Sequence, residues 1–228
     1  MPTTPTSGND TIIGTVDDDT INGLAGDDKI SGGEGNDTLI GGNGDDQLLG
    51  GNGDDKLFGG ADNDTLIGGF GNDNLSGGTG DDKLFGGDDS DRLAGGDGMD
   101  VLNGGNGDDF MLGGNDNDVM VGGEGIDRLT GGMGRDVMTG GTEGDIFFFR
   151  AGESEAGAGL RDVITDFAVG EDKINLASLN LDASQISFNS FNSGRSTVLA
   201  IDTDGDTVVD YEIQLNNATG VTLADILI

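Results

Sequence analysis

The chain has no cysteine, no histidine and no tryptophan, and only two prolines and one tyrosine. Without cysteine there are no disulfides. With histidine missing as well, zinc sites of the usual Cys/His kind and His-dependent catalytic triads are excluded. Pro2 and Pro5 stand at the very start, so everything after them turns without proline. Residues 1–10 hold neither the basic stretch nor the apolar core of a Sec-type signal peptide, and no run of about 18 apolar residues exists, so neither that leader nor a transmembrane helix is expected. Bases are scarce: ten lysines and arginines stand against 44 acids, a formal charge of −34 in 228 residues. A field of that sign repels nucleic acid and anionic membranes and opposes compaction. The expected partner is a cation.

What is abundant is glycine, 47 residues of it, and it is periodic. From Pro5 to Phe148 the chain divides into sixteen nonapeptides without insertion or deletion, typified by Gly41-Gly42-Asn43-Gly44-Asp45-Asp46-Gln47-Leu48-Leu49. Position six is aspartate throughout: Asp28, Asp37, Asp46, Asp55, Asp64, Asp73, Asp82, Asp91, Asp100, Asp109, Asp118, Asp127, Asp136 and Asp145, with Asp10 and Asp19 in the looser first frames. Position eight is always apolar, from Ile12 to Phe147, and positions one and two are Gly-Gly from Gly32-Gly33 to Gly140-Gly141.

A repeat this short cannot bury a face alone, so its copies must stack. About three residues per frame, such as Gln47-Leu48-Leu49, are suited to strand, with the middle side chain pointing inward. The six residues of Gly-Gly-x-Gly-x-Asp are expected to turn, because glycine reaches backbone angles closed to other residues. Two frames then form one coil. Eight coils at about 4.8 Å give two parallel sheets roughly 38 Å long around the position-eight side chains.

One aliphatic row per sheet is a thin core for so glycine-rich a backbone. The stacked position-six carboxylates would repel one another unless a cation lay between successive turns. Ca²⁺, which takes six to eight hard oxygen ligands in flexible geometry, suits carboxylates joined by turn carbonyls better than Mg²⁺ does. The carbonyls expected to contribute are those of Gly32, Gly35, Gly41, Gly44, Gly50, Gly53, Gly77, Gly80, Gly104 and Gly107. Bridging each frame to the next but one allows at most about fourteen ions. Residues 1–148 carry 31 acids and six bases, a charge that so many divalent ions would nearly cancel.

These frames resemble the repeats-in-toxin (RTX) nonapeptide, Gly-Gly-x-Gly-x-Asp-x-apolar-x, over Pro5 to Phe148. The resemblance implies an all-β fold, a right-handed parallel β-roll solenoid that folds on binding calcium. Position four departs from the pattern, being acidic at Asp17, Asp62, Asp89, Asp116 and Glu143. These acids are read as solvent-facing members of relaxed turns, with an added ligand as the alternative. Residues 149–228 leave the repeat. There, Ile164 to Leu176 resembles the segment after the roll in serralysin-type C-terminal domains. Three parts are thus expected: a tail over 1–4, the roll over 5–148, and a β-rich C-terminal cap over 149–228.

In the cap, Thr197 to Asp202 and Thr207 to Leu215 read as strands around a turn at Asp204-Gly205. Asp202-Thr203-Asp204-Gly205-Asp206 hints at an EF-hand loop, but Thr207 and Ile213 stand where that loop needs glycine and glutamate, so a hairpin turn is preferred. Gly152-Glu153-Ser154-Glu155-Ala156 lacks the last glycine of a nucleophile elbow. The ending Leu223 to Ile228, acidic then apolar, accompanies type I secretion in the families it resembles, and a cap strand is its structural counterpart. Val101, Val119 and Val137 on one outer face, and Phe110 and Ile146 on the other, are expected to lie beneath the C-terminal segment, with a partner site as the alternative.

The functional expectation is a free-standing calcium-binding structural module, extracellular or at the cell surface, exported without an N-terminal signal peptide by type I machinery. No catalytic residue is expected. The alternatives are an adhesion module associated with cell-surface polysaccharide, and the C-terminal part of a larger secreted enzyme or toxin.

Overall fold

The computed structural model describes residues 6–150, 161–191 and 195–228. The tail over 1–4 and the Gly152–Ala156 fragment lie outside the described residues. The nonapeptides form strands β1 (Thr11–Ile13) to β16 (Ile146–Phe148), one per frame. Odd-numbered strands stack in parallel in one sheet and even-numbered strands in the other, so the chain is an all-β parallel solenoid of about eight turns. Paired residues come from frames two apart, as Leu48 beside Leu66 and Leu57 beside Leu75. The position-eight side chains, Ile12 through Phe147, form one continuous buried column between the sheets.

The strands are longer than the three residues expected. β5 (Gln47–Asn52) and its neighbours run on through both glycines to position three, alternating between buried and exposed residues. Only positions four to six turn. The buried position-one glycine sits on the core side, so it continues the period of two begun at position eight. The acids at position four are exposed, and Asp62, Asp89, Asp116 and Glu143 stand at φ of 74–77°, a region that only glycine enters freely.

Both sheets continue beyond the last nonapeptide. β17 (Asp162–Ile164) pairs in parallel with β15 (Val137–Thr142), and β18 (Lys173–Asn175) with β16. β19 (Ile186–Phe191) and β20 (Ser196–Ile201) form an antiparallel pair that joins the odd sheet through β21 (Tyr211–Leu215), while β22 (Ile226–Leu227) ends the even sheet. The hairpin expected at Asp204-Gly205 is therefore a longer loop over 202–210 between β20 and β21. The core column also runs on, through Ile164, Phe167, Ile174, Leu199, Ile213 and Ile226.

Because the C-terminal strands extend the sheets end-on, they do not lie over their faces. Val101 and Val119 are 39% and 44% exposed and Phe110 is 41% exposed, while Val137 and Ile146 are half-buried, which corrects the expectation of a covered outer ladder for the first three. Adding strands to an open edge satisfies backbone donors that lying across a face would leave unpaired, and this favours the end-on arrangement.

Candidate metal centre

Two rows of aspartates run the length of the roll, one at each line of turns. The fourteen from Asp28 to Asp145 are almost completely buried. Their two oxygens have different surroundings. Oδ1 of each accepts the backbone N–H of the aspartate one coil earlier: Asp46 donates to Asp64, Asp64 to Asp82 and Asp82 to Asp100, at 2.7–2.8 Å. The aspartate carbonyl accepts from position seven of the following coil, as Lys83 N–H donates to Asp64 O at 2.9 Å. From Asp28 to Asp127, every Oδ2 is buried without a hydrogen-bond donor among the described residues.

Each of these oxygens faces a cradle shaped by glycine. A Cβ on Gly41 would overlap Asp46 Oδ2 and would lie 2.8 Å from the Gly59 carbonyl oxygen of the next coil. The same grouping recurs around Gly32 with Asp37 and Gly50, and around Gly59 with Asp64 and Gly77. Thus the position-one carbonyls of Gly32, Gly41, Gly50, Gly77 and Gly104 sit beside acceptor-only carboxylates. The position-four carbonyls do not share that cradle. Those of Gly35, Gly53, Gly80 and Gly107 lie instead beneath the position-four α-carbon of the next coil. Unpartnered carboxylate oxygens beside carbonyl oxygens form an all-oxygen donor set without N–H groups, which fits a hard divalent cation such as Ca²⁺.

The ends of the rows are finished differently. Asp10 Oδ2 accepts from Thr6 N and Oγ1 at 2.6 and 3.0 Å, and Asp19 Oδ2 from Thr15 N and Oγ1 at 2.6 and 2.8 Å. These threonines occupy position two, where the frames from Gly32-Gly33 onward have glycine. At the other end the N–H groups of Asp136 and Asp145 donate to Asp162 and Asp172 Oδ1, and Asp172 Oδ2 accepts from Ala168 N–H. Sequence reasoning missed Asp162 and Asp172. Their signal is aspartate followed by x-apolar-x, in Asp162-Val163-Ile164-Thr165 and Asp172-Lys173-Ile174-Asn175.

A second, exposed ladder was also missed. At position five, Asp45 Oδ1 accepts Asn63 N–H, Asn63 Oδ1 accepts Asp81 N–H and Asp81 Oδ1 accepts Met99 N–H, at 2.7–2.9 Å. Elsewhere, Asp202, Asp204 and Asp210 bring carboxylate oxygens within 4.8 Å of one another. Oxygens of all three already accept backbone N–H groups of their own loop, from Gly205 and Thr207, from Asp206 and from Thr203.

Burial dominates the ionisation of the inner rows. It pushes Asp91 and Asp118 up to about 8, and Asp64, Asp73 and Asp100 up to about 7. The N–H bond to Oδ1 pulls each value back, and the aspartates one coil away push it up again. Without a cation the folded roll disfavours its own charges.

Seven overlapping stretches between residues 4 and 147 match the RTX calcium-binding nonapeptide repeat. The chain belongs to this family. Its repeat is a calcium-binding structural unit rather than a catalytic one, and proteins that carry it are typically extracellular. No curated protein matches the chain. Among solved structures, the R2 subunit of an Azotobacter vinelandii mannuronan C5-epimerase is 28% identical, with 59% of this chain and 90% of that one covered and a TM-score of 0.48. The R3 subunit from the same organism's mannuronan C5-epimerase is 24% identical over 64% of this chain and 77% of that one, with a TM-score of 0.43. An extracellular lipase of Serratia marcescens is 12% identical, spanning 98% of this chain and 39% of the lipase, with a TM-score of 0.23. Among the described residues of this RTX chain, no helix is long and apolar enough to cross a membrane.

The glycine cradles carry their own expected outcome. Gly42 stands at φ +125° with the Leu24 carbonyl against its α-carbon, and Gly41 has no room for a methyl group beside Asp46 Oδ2. Gly41→Ala and Gly42→Ala should each raise the calcium midpoint for β formation several-fold, read by circular dichroism. The exposed Asn43→Ala, one residue on, should leave the midpoint unchanged.

Proposed function

We propose that this chain is a secreted structural module whose roll folds when calcium neutralises the stacked position-six aspartates. The observation that supports it most directly is the row of buried Oδ2 atoms without donors from Asp28 to Asp127. Buried unpaired charges cost several kcal/mol each unless a counter-charge is present, so the metal-free roll opposes its own closure. Asp28 to Asp145 would hold the ions, joined by the position-one glycine carbonyls, while Asp10 and Asp19 close the N-terminal end through their threonines. Bound calcium supplies positive charge and a flexible oxygen-coordination shell. The aspartates contribute the rest: Oδ1 fixes the stacking register through the N–H of the preceding coil, and Oδ2 stays available.

In this reading residues 5–148 are the calcium-dependent roll, and residues 149–228 cap it and carry the type I export signal. Weak sites would suit the purpose. Affinities near the 10⁻⁴–10⁻³ M typical of extracellular modules would leave the chain open in a low-calcium cytosol and folded outside.

Titrating CaCl₂ into chelator-treated protein at neutral pH should give a cooperative gain of β signal in far-UV circular dichroism, reversed by chelator and not reproduced by MgCl₂. A full β spectrum in chelator at that pH, or equal folding by magnesium, would sink the proposal.

A further inference from the structure

Four of the ten basic residues of this chain fall on one line. On the outer face of the even sheet, strand register places Lys56, Asn74, Arg92, Phe110 and Arg128 side by side, one per coil, with Ile146 and Lys173 completing the line. Cations therefore occupy every second strand. At the strand spacing of a sheet they recur about every 9.6 Å, in a straight row. Lys173 is taken up by Asp225 at 3.6 Å. Lys56, Arg92 and Arg128 are exposed and make no ion pair among the described residues.

Between the two arginines lies Phe110, 41% exposed, in a depression of about 270 Å³ lined by Ser90, Asp91, Arg92, Asp108, Phe110 and Arg128. Beside this part of the row, position five of the turns is Ser90, Asp108 and Ile126, with Asp88, Asp89 and Glu124 flanking them. Asp108 Oδ1 accepts Ile126 N–H at 2.8 Å. The larger depression on the odd sheet, about 620 Å³, is lined by Ile13, Leu49 and Ile67, and Lys29 is its only charge. Lys29 and Lys83 on that sheet lie three strands apart, so they form no such row.

We propose that Lys56, Arg92, Arg128 and Phe110 form a docking track for an extended acidic polysaccharide, with its anionic groups against the cations and a sugar ring over Phe110. Exposed ion pairs are individually weak, so an evenly spaced row gains by engaging one linear polyanion at several points. Duplex nucleic acid and anionic membranes present dense charge over a broad front, and the acids on either side of the row repel that. A single glycan strand meets only the row. The inference rests on the calcium-folded roll, since an open chain has no register.

The test uses the full chain in saturating CaCl₂, with circular dichroism confirming the fold of every variant, so that loss of folding is separated from loss of the track. Isothermal titration with oligogalacturonates too short to gel, and with chondroitin sulfate, should detect binding that neutral dextran lacks. Arg92→Gln/Arg128→Gln should weaken it about tenfold, and Phe110→Ser several-fold. Lys29→Gln/Lys83→Gln, which removes the same charge from the odd sheet, should leave it unchanged. The proposal is overturned if the folded parent binds neither acidic glycan, or if both double variants weaken binding equally. It is also overturned if phosphatidylserine vesicles or single-stranded DNA bind more tightly than the glycans.

Discussion

Stripped of calcium, the protein should keep its β spectrum near pH 5 and lose it by about pH 8. The direction follows from the buried aspartates. Asp46, Asp55, Asp82 and Asp109 are pushed up to about 6, Asp64, Asp73, Asp100, Asp127 and Asp145 to about 7, and Asp91 and Asp118 to about 8, from an ordinary value of 3.8. Between those values and 3.8 the metal-free fold binds more protons than the unfolded chain, so its stability falls as pH rises. The contribution of each group is complete below 3.8 and is lost as pH passes through its folded value, so little remains above about 8. Near pH 5 most of the inner carboxyls are neutral, and a protonated Oδ2 needs no cation. In excess calcium the fold should persist to pH 8, and the calcium midpoint should fall between pH 5 and 8, because each site must release its proton to accept the ion. Circular dichroism in chelator and in excess calcium across that range checks the fold, and equilibrium dialysis at each pH checks the calcium midpoint. A metal-free spectrum that gains β content towards pH 8 would refute the assignment of charge repulsion as the barrier to folding.

Replacing three adjacent aspartates of one row should separate charge from hydrogen bonding. In Asp64→Asn/Asp82→Asn/Asp100→Asn, the amide oxygen still accepts the N–H of the preceding coil, while three buried charges disappear. That variant should hold more β structure than the parent in chelator at neutral pH, yet bind fewer calcium ions with a shallower titration. Asp64→Ala/Asp82→Ala/Asp100→Ala removes the charges and also strands the N–H groups of Asp46, Asp64 and Asp82. Each buried donor left alone costs about 1–3 kcal/mol, so the alanine variant should fold poorly with or without calcium. Chelator-state spectra and calcium stoichiometry by equilibrium dialysis distinguish the two. Identical behaviour of the asparagine and alanine variants would mean that the Oδ1 ladder does not hold the register.

Much of this was legible because the period is nine. An odd period places successive frames on opposite sheets and returns every side chain to the same face after two frames, so position eight had to be core and position six had to stack. The strand length was misread because glycine was treated only as a turn residue. Stacked parallel coils pair Gly33 with Gly51 as readily as Ile30 with Leu48, and tertiary pairing overrides the low strand preference of glycine. Asp162 and Asp172 were overlooked for a different reason. They continue the rows at intervals of 26 and 27 residues, and a search for two-frame spacing does not see an acceptor delivered after a longer excursion. The exposed valines were misjudged because sequence pattern identifies an apolar row without indicating whether anything lies over it.

The uniformity of the coils leaves one problem that the C-terminal strands resolve. Sliding a stretch of roll by one whole coil against itself replaces aspartate with aspartate, glycine with glycine and leucine with leucine, so the repeats alone scarcely distinguish one alignment from the next. β17 and β18 can dock in only one place, because their intervals break the period and Phe167 packs against Phe147 with ring centroids 6.3 Å apart. The non-repeating end thus acts as an index mark from which every preceding coil is counted. A chain lacking it would be expected to close into a mixture of slipped rolls that all bind calcium and differ in length.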